Sequence, residues 1–437
     1  MNDMLRLIIA EQQRNLKSQF PIIPRDIEIL PVPRKATVII GIRRSGKSTW
    51  QHEKIESLIN EGIDAENICF IDFSDDRLDF LRLENSDPAV ITDTYYGMYP
   101  QKHEQRVYFF FDELQYVNRW AQFVNRIQTK QLCEVYITGS SAKLLSKEIA
   151  TELGGRTFTW EMFPFSFNEF LRATGKPQAI TDISSRDAVI ASFDSYVELG
   201  GMPERLVLPK SSMAPIYFQN LVNDVISRDI LLRYNIQHPV QLKRLVLILM
   251  NSYSRLITVN KLKQRLAGER NNLSPQLISD YIEKLEDCFL IFTIPVRSYN
   301  MAVQSVNPKK VYCVDHAMVQ AFSRSTSENR GLVLENMVFM ALRRVTQEIF
   351  YYKTSQGDEI DFAVGPDSDI QLIQVSWSLG KDGRTRDREF SPLLDGMKEL
   401  GLQESWIITA YEQEEFKDEK TGRIIHIVPA YSWLLRG

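Results

Sequence analysis

Ala36-Thr37-Val38-Ile39-Ile40-Gly41-Ile42-Arg43-Arg44-Ser45-Gly46-Lys47-Ser48-Thr49 decides the reading of this chain. A β-branched apolar run ends at Gly41, and Gly46, Lys47 and Ser48 complete the spacing G-x-x-x-x-G-K-[ST], the P-loop. The chemistry sets the spacing. Gly41 and Gly46 let the backbone turn tightly and bring its N–H groups to a polyphosphate. The stretch Gly41, Ile42, Arg43, Arg44, Ser45, Gly46, Lys47, Ser48 and Thr49 forms the cradle, with Lys47 reaching the β- and γ-phosphates of ATP and the Ser48 hydroxyl on Mg²⁺. A helix from Thr49 to about Asn60 points its positive end at the phosphates. The bland alternative, a strand–helix turn that binds nothing, puts Lys47 at a helix start, where its charge opposes the dipole unless an anion is present.

Working outward, 437 residues are too many for one core and predict several domains. Hydrophobic content of 44% and charged content of 25% are those of a soluble globular protein. No stretch reads as a signal peptide or membrane span, so a cytoplasmic protein without membrane attachment is expected. Cys69, Cys133, Cys288 and Cys313 stand singly in apolar stretches and read as reduced core residues. No Cys/His spacing suits zinc. A net charge of −4 gives no global signature of a nucleic-acid binder.

Along the chain, residues 1–18 read as a short amphipathic helix and 67–73 as a second buried strand. Residues 107–113, Val-Tyr-Phe-Phe-Phe-Asp-Glu, are a third, unbroken because a central parallel strand is covered on both faces. Asp112 would hold Mg²⁺ and Glu113 would orient or deprotonate the attacking water, both facing the P-loop from an adjoining strand. Residues 134–141 are a fourth strand, with Thr138, Ser140 and Ser141 as candidate γ-phosphate sensors or, alternatively, only a Gly-Ser turn. Arg156, after Gly154-Gly155, reads as a cation offered to phosphate in cis or from a neighbouring subunit, or as a solvated surface arginine.

Ser166–Glu169 is a capping box and Gly200–Glu204 a sharp turn. Asp224, Arg228, Asp229 and Arg233 read as a solvated ion-pair network on a helix. Residues 239–310 predict three helices and a hairpin, a winged helix-turn-helix whose Ser274–Glu286 helix would enter a DNA major groove. Its outer face, with Gln276, Asp280, Glu283, Lys284 and Glu286, is not basic, which favours an intramolecular or oligomer contact over DNA. Beyond residue 328 the pattern is helix, three strands, helix, strand, with acids at strand ends.

These residues resemble the prokaryotic P-loop ATPases with an AAA-type core, a winged helix and a C-terminal nuclease-like domain of unknown function. The resemblance rests on 41–48, 67–78, Phe-Asp-Glu-Leu-Gln at 111–115, Thr-Gly-Ser-Ser at 138–141 and Gly-Gly-Arg at 154–156. It extends through Gly-Gly-Met-Pro-Glu at 200–204, Leu-Glu-Asn at 334–336 and Asp-Glu-Ile-Asp-Phe at 358–362. It implies an α/β chain with a P-loop ATPase core (1–165), an all-α lid (166–236), a winged helix (237–326) and a PD-(D/E)xK-like, restriction-endonuclease-like domain (327–437). It also implies ATP and Mg²⁺ as cofactors and leaves the oligomeric state open, a homo-oligomer in which a neighbour's arginine completes each site being one arrangement. Against the nuclease motif, Glu335 and Asp361 match, while Gln374 replaces a metal-binding carboxylate and Ser376 replaces the lysine. Lys353 would be a migrated cation and Glu359 a spare carboxylate. The expectation is an Mg²⁺-dependent ATPase switch with an inactive nuclease-like domain. The alternatives are an ATP-gated DNA-binding protein or nuclease, in defence against foreign DNA, and a non-hydrolysing scaffold.

Overall fold

The structure is a computed structural model that describes residues 2–16, 21–83, 85–140, 155–267, 273–298, 300–322, 330–380 and 383–436. The chain forms two compact units, Met1–Phe163 with Asp287–Phe289, and Pro164–Glu286 with Leu290–Gly437.

The first unit is built on five parallel strands, β1 (Ala36–Ile40), β2 (Ile68–Asp72), β3 (Val107–Asp112), β4 (Cys133–Gly139) and β5 (Thr157–Glu161), in the order β2-β3-β4-β1-β5. Both faces are covered, and β3 shows how. Phe110 stacks on Tyr136 at 4.6 Å and joins the cluster of Trp50, Ile55 and Leu58 from the Lys47–Asn60 helix. Phe109 and Phe111 face the other way, against Tyr95 of the Ala89–Met98 helix and Phe123 of the Trp120–Lys130 helix. An apolar residue is therefore needed at every position, not every second one. The N-terminal helix Asn2–Arg14 packs along edge strand β2. There Gln13 Nε2 donates to Ile68 O at 3.0 Å, and Gln12 Oε1 accepts from Asp72 N at 3.2 Å. The glutamines satisfy an edge that would otherwise be open for pairing.

Two expectations change here. The strand carrying Asp112 does not adjoin the P-loop strand, because β4 lies between them and pairs with both. The order of strands along the chain carries no information about lateral order. Moreover, β5 was not anticipated; it is an edge strand of alternating character beside β1.

In the second unit, Ser166 and Glu169 form the expected capping box on Phe167–Ala173. The turn after helix Ile183–Leu199 brings backbone against backbone. Gly201 O accepts from Phe165 N at 2.6 Å, and Gly201 N donates to Asp315 Oδ2 at 2.7 Å. Asp229 is not solvated as expected. It lies buried in a π-helical segment, Val225–Leu231, paired to Arg233 at 3.1 Å. Three helices, Pro239–Met250, Val259–Leu266 and Pro275–Asp287, accompany a small antiparallel sheet. That sheet is β6 (Arg255–Ile257), β7 (Ile291–Ile294) and β8 (Lys309–Cys313), in the order β6-β8-β7.

The last sheet holds β9 (Ile349–Lys353), β10 (Glu359–Val364), β11 (Gln371–Val375), β12 (Glu404–Thr409), β13 (Glu414–Lys417) and β14 (Ile424–Pro429), in the order β13-β14-β12-β11-β10-β9. Helices Arg330–Val345 and Arg384–Leu400 pack on it. Bonds from Tyr351 N to Pro295 O (3.1 Å), Arg297 N to Tyr351 O (2.8 Å) and Tyr351 OH to Pro308 O (2.7 Å) tie β9 to the small sheet. Lys310 is thereby delivered to the neighbourhood of β10.

A Cβ at Gly201 would stand 2.3 Å from Phe165 O, whereas one at Gly331 would meet nothing within 4 Å. Gly201→Ala is expected to cost about 2 kcal/mol or more, seen as a lowered denaturant midpoint. Gly331→Ala, on an open helical face, is expected to be neutral or stabilising by up to about 1 kcal/mol.

Candidate functional site

The loop after β1 is set by its glycines. Gly41 has φ 152 and a Cβ there would sit 2.1 Å from Met162 O, while Gly46, with φ 100, is the N-cap of the Lys47–Asn60 helix. Its N-cap residue offers no side-chain oxygen, so the helix start can accommodate another acceptor. Lys47 is buried, its Nζ donating to Gly41 O and Ile42 O, each at 2.9 Å. Arg25, from the connector before β1, clamps the loop by donating to Ser45 O (2.8 Å) and Phe163 O (2.5 Å). Arg43 Nη2 donates to Tyr116 OH at 2.6 Å. Arg44 is exposed with φ 64. Ser45 Oγ is buried without a hydrogen-bond partner. An uncapped helix start, an orphaned hydroxyl and a close glycine approach together fit a polyphosphate.

The acidic side of the site is built at the ends of β2, β3 and β4. Asp112 Oδ1 accepts from the Thr138 hydroxyl, and the Ser48 hydroxyl, from the loop, is near enough to favour the ionised carboxylate. Thr138 Oγ1 in turn accepts from Glu113 N at 3.2 Å. Glu113 occupies left-handed backbone (φ 53), a strained setting for a non-glycine residue. Its Oε2 accepts from Gln115 Nε2 and, at 3.3 Å, from Ser140 Oγ. Asp72 ends β2 in register with Asp112. Burial first, then Glu113 and Asp72, push the Asp112 carboxyl up to about 6, and burial raises Asp72 as well. Ser48 and Asp112 would hold a divalent cation brought in with a polyphosphate, while Glu113 and Asp72 add negative charge at the neighbouring strand ends.

The structure therefore brings together Gly41, Lys47, Ser48, Asp112, Glu113, Thr138 and Ser140. Ser141 and Gly154 lie outside the described residues. Arg156 is not brought to its own loop. Its backbone O accepts from Ala36 N at 2.8 Å, at the opposite end of β1 from Gly41. Five strand residues separate the two ends, about 16 Å. Its guanidinium is spent on Asn125 Oδ1 and, at 2.5 Å, Thr129 Oγ1. Asp72 and Arg25 were missed. An Ile-Asp strand end like that of β3 was the available signal for Asp72; nothing in the sequence marked Arg25.

The second constellation lies in the other unit. Glu335, Asp361 and Gln374 do converge, at a cleft of about 770 Å³. Their cation is Lys310, not Lys353, which is exposed. Lys310 Nζ contacts Glu335 Oε1 at 3.0 Å and Glu359 Oε1 and Asp361 Oδ1 at 2.7 Å each. Tyr312 OH donates to Glu335 Oε1 at 2.8 Å. Burial disfavours the ammonium, but Asp361 and Glu335 outweigh it and hold Lys310 charged; burial pushes Glu335 up to about 8. Gln374 Oε1 accepts from Asp361 N at 3.2 Å and its Nε2 donates to Glu389 Oε2 at 2.7 Å. Ser376 Oγ donates to Ser378 O at 3.2 Å. Among the described residues, no group of three or more His, Cys, Asp or Glu side chains is arranged to hold a metal ion.

Comparison with known proteins places these features. Residues 33–171 match the family described as AAA domain. Residues 190–329 and 330–433 match two domains of unknown function, DUF8612 and DUF4143. The chain is 30% identical over 423 residues to the uncharacterized protein MJ1544 of Methanocaldococcus jannaschii, covering 95% of this chain and 91% of that one. It is 27% identical over 401 residues to an uncharacterized protein of Haemophilus influenzae, covering 91% and 94%. Among solved structures, it is similar to a Walker-type ATPase of Pyrococcus abyssi (15% identity, TM-score 0.43, covering 70% of this chain and 99% of that one). Another is the Aeropyrum pernix ORC1 protein in complex with DNA (12%, TM-score 0.30, covering 74% and 91%). The family match and the loop geometry together make the first unit an AAA-type ATPase domain. Among the described residues, no helix is long and apolar enough to cross a membrane.

Because the Asp112 carboxyl binds its proton more tightly folded than unfolded (3.8), its favourable contribution is full below pH 3.8 and is lost as pH rises through about 6. Asp112→Asn is therefore expected to raise the magnesium-free thermal midpoint at pH 8, by about 1–3 kcal/mol of stability, and by roughly half as much at pH 5.

Proposed function

The chain belongs to the family of the Methanocaldococcus jannaschii protein MJ1544, and within that family we propose that it is an Mg²⁺-dependent ATP hydrolase acting as a nucleotide-driven switch. The observation that carries the reading is the hydrogen-bonded path from Asp112 through Thr138 to Glu113, with the loop's Ser48 beside Asp112. It joins the phosphate loop to the base at one set of strand ends. The chain's own residues divide the work. The Lys47–Asn60 helix start and Lys47 hold the β- and γ-phosphates. Ser48 and Asp112 hold the cation. Glu113 takes the proton of the attacking water, and Gln115 and Ser140 fix its carboxylate. Thr138 sets the distance between the two acids. Arg156 has a structural role in its own subunit, joining β5 to the Trp120–Lys130 helix.

Lys47→Ala is expected to lower phosphate release by at least about a hundredfold, since it removes transition-state charge compensation. Glu113→Gln should keep nucleotide binding by calorimetry while losing turnover. A Lys47→Ala chain that hydrolyses ATP at the wild-type rate would overturn the assignment. Arg156→Ala should lower the thermal midpoint and leave turnover of the diluted monomer unchanged.

We further propose that the 770 Å³ cleft is not a nuclease centre. What supports this is Lys310, whose ammonium fills the space among Glu335, Glu359 and Asp361 where a divalent ion would have to sit. Supercoiled DNA should stay uncut at enzyme excess with ATP and Mg²⁺ or Mn²⁺. Lys310→Met should cost about 3–5 kcal/mol, because it strands buried carboxylates. Adding Asp361→Asn should recover part of that loss in a double-mutant cycle.

A further inference from the structure

Residues 239–267 hold Lys243, Arg244, Arg255, Lys261, Lys263 and Arg265 and no aspartate or glutamate, in a chain whose net charge is −4. The fold gathers them. Helices Pro239–Met250 and Val259–Leu266 pack on each other, burying Leu242, Leu245 and Leu249 of the first and Leu262 and Leu266 of the second. Of the six cations, Lys263 is half-buried and the rest are exposed. Among the described residues none of the six forms an ion pair, and Arg265 alone is held by a side-chain hydrogen bond, to Ser252 Oγ at 3.1 Å. Lys261 and Arg265 stand one helical turn apart, about 6 Å along the axis. Like charges at this density repel, and among the described residues no acid is ion-paired with them, although Arg255 borders the acidic cleft described above.

The face has a direction. Arg255 lies on β6, directly before the Val259–Leu266 helix, and it also lines the cleft that holds Glu335 and Asp361. The helix expected to read DNA behaves differently. Pro275–Asp287 carries Asp280, Glu283, Glu286 and Asp287, and its one lysine, Lys284, lies over the Tyr234 ring at 5.2 Å. Arg297 is likewise committed internally, to Gly365 O at 3.0 Å and the Phe350 ring.

We infer that the outward face of Pro239–Met250, β6 and Val259–Leu266 binds double-stranded nucleic acid through its phosphates, without reading sequence. Rows of unpaired lysine and arginine fit the regular charge of a duplex backbone. The stretch's one aromatic, Tyr253, is buried, so no platform exists for stacking single-stranded bases. The inference is independent of the nucleotide site.

The test is fluorescence anisotropy of the full chain with a labelled two-turn duplex of mixed sequence, without nucleotide, between about 50 and 200 mM salt. Affinity should fall steeply with salt and be the same for a second, unrelated sequence. Lys243→Gln with Lys261→Gln should weaken binding at least about tenfold at low salt and reduce the log–log salt slope by about two, roughly 0.9 for each phosphate that is no longer neutralised. Lys284→Gln should leave both unchanged. ATP hydrolysis by the double variant should stay at the wild-type level, which separates this result from any failure of the nucleotide assignment and reports that the variant is folded. No binding at the lowest salt, a slope unchanged in the double variant, or binding to phosphatidylserine vesicles in place of the duplex would each overturn the inference.

Discussion

A helix that begins without a cap constrains the whole first unit. Four N–H groups at the start of Lys47–Asn60 have no partner within the helix, and the N-cap residue, Gly46, has no side chain to supply one. A cap elsewhere contributes about 1 kcal/mol. Here that contribution is withheld, and the loop is held instead by Arg25 from one side and by Lys47 folding back on the carbonyls of Gly41 and Ile42. Those carbonyl bonds stabilise the loop only until an anion competes for the ammonium. The parallel sheet then matters as a rigid floor. The covered faces of β3 and β4 fix where Asp112 and Thr138 stand, so ligand binding does not have to order them.

The chain buries two acidic clusters and neutralises them in opposite ways. Around Asp112 the strongest neighbours are two hydroxyls and two further carboxylates, and the carboxyl responds by holding its proton up to about 6. Under the proposed function, a cation from solution would offset that charge. Around Glu335 and Asp361 the cation is built in, as Lys310 from a different sheet. Desolvating a carboxylate costs several kcal/mol, so a cluster with an internal ammonium has little to gain from a metal and much to lose by releasing the lysine. One chemistry, carboxylates at strand ends, thus yields a ligand site in one unit and a structural joint in the other.

How legible this was depended on the range of each interaction. β1 and β3 were readable because burial on both faces writes an unbroken apolar run. The short strands β5, β6 and β13 were not, because an edge strand is half solvated and its alternation is brief. The P-loop and Asp112–Glu113 follow local spacing rules and could be placed by count. Their lateral relation could not, since β4 enters between them from later in the chain. Lys310 reaches acids 25 and 51 residues away, and no local pattern signals such a pair. Arg156 shows the converse limit: flanking glycine suggested an offered cation, while its side chain is hydrogen-bonded to Asn125 and Thr129 in its own chain.

Gln374 looked from sequence like a lost ligand, and the geometry gives it a positive reason. Its side chain must accept from the Asp361 amide and donate to Glu389 at the same time. The glutamine amide does both without carrying charge. A carboxylate at 374 would keep the first bond and set a like charge against Glu389, which is buried. Gln374, Glu389 and Lys310 are therefore one consistent set: the lysine neutralises the acids it touches, and the amide bonds the Asp361 backbone and Glu389 without adding charge. Restoring a metal-binding centre would require changing the lysine and the glutamine together, because either change alone leaves uncompensated charge in the interior. The distance from a metal-binding arrangement is thus measured in coupled substitutions, which is why the two matched acids, Glu335 and Asp361, are poor guides to activity when read singly.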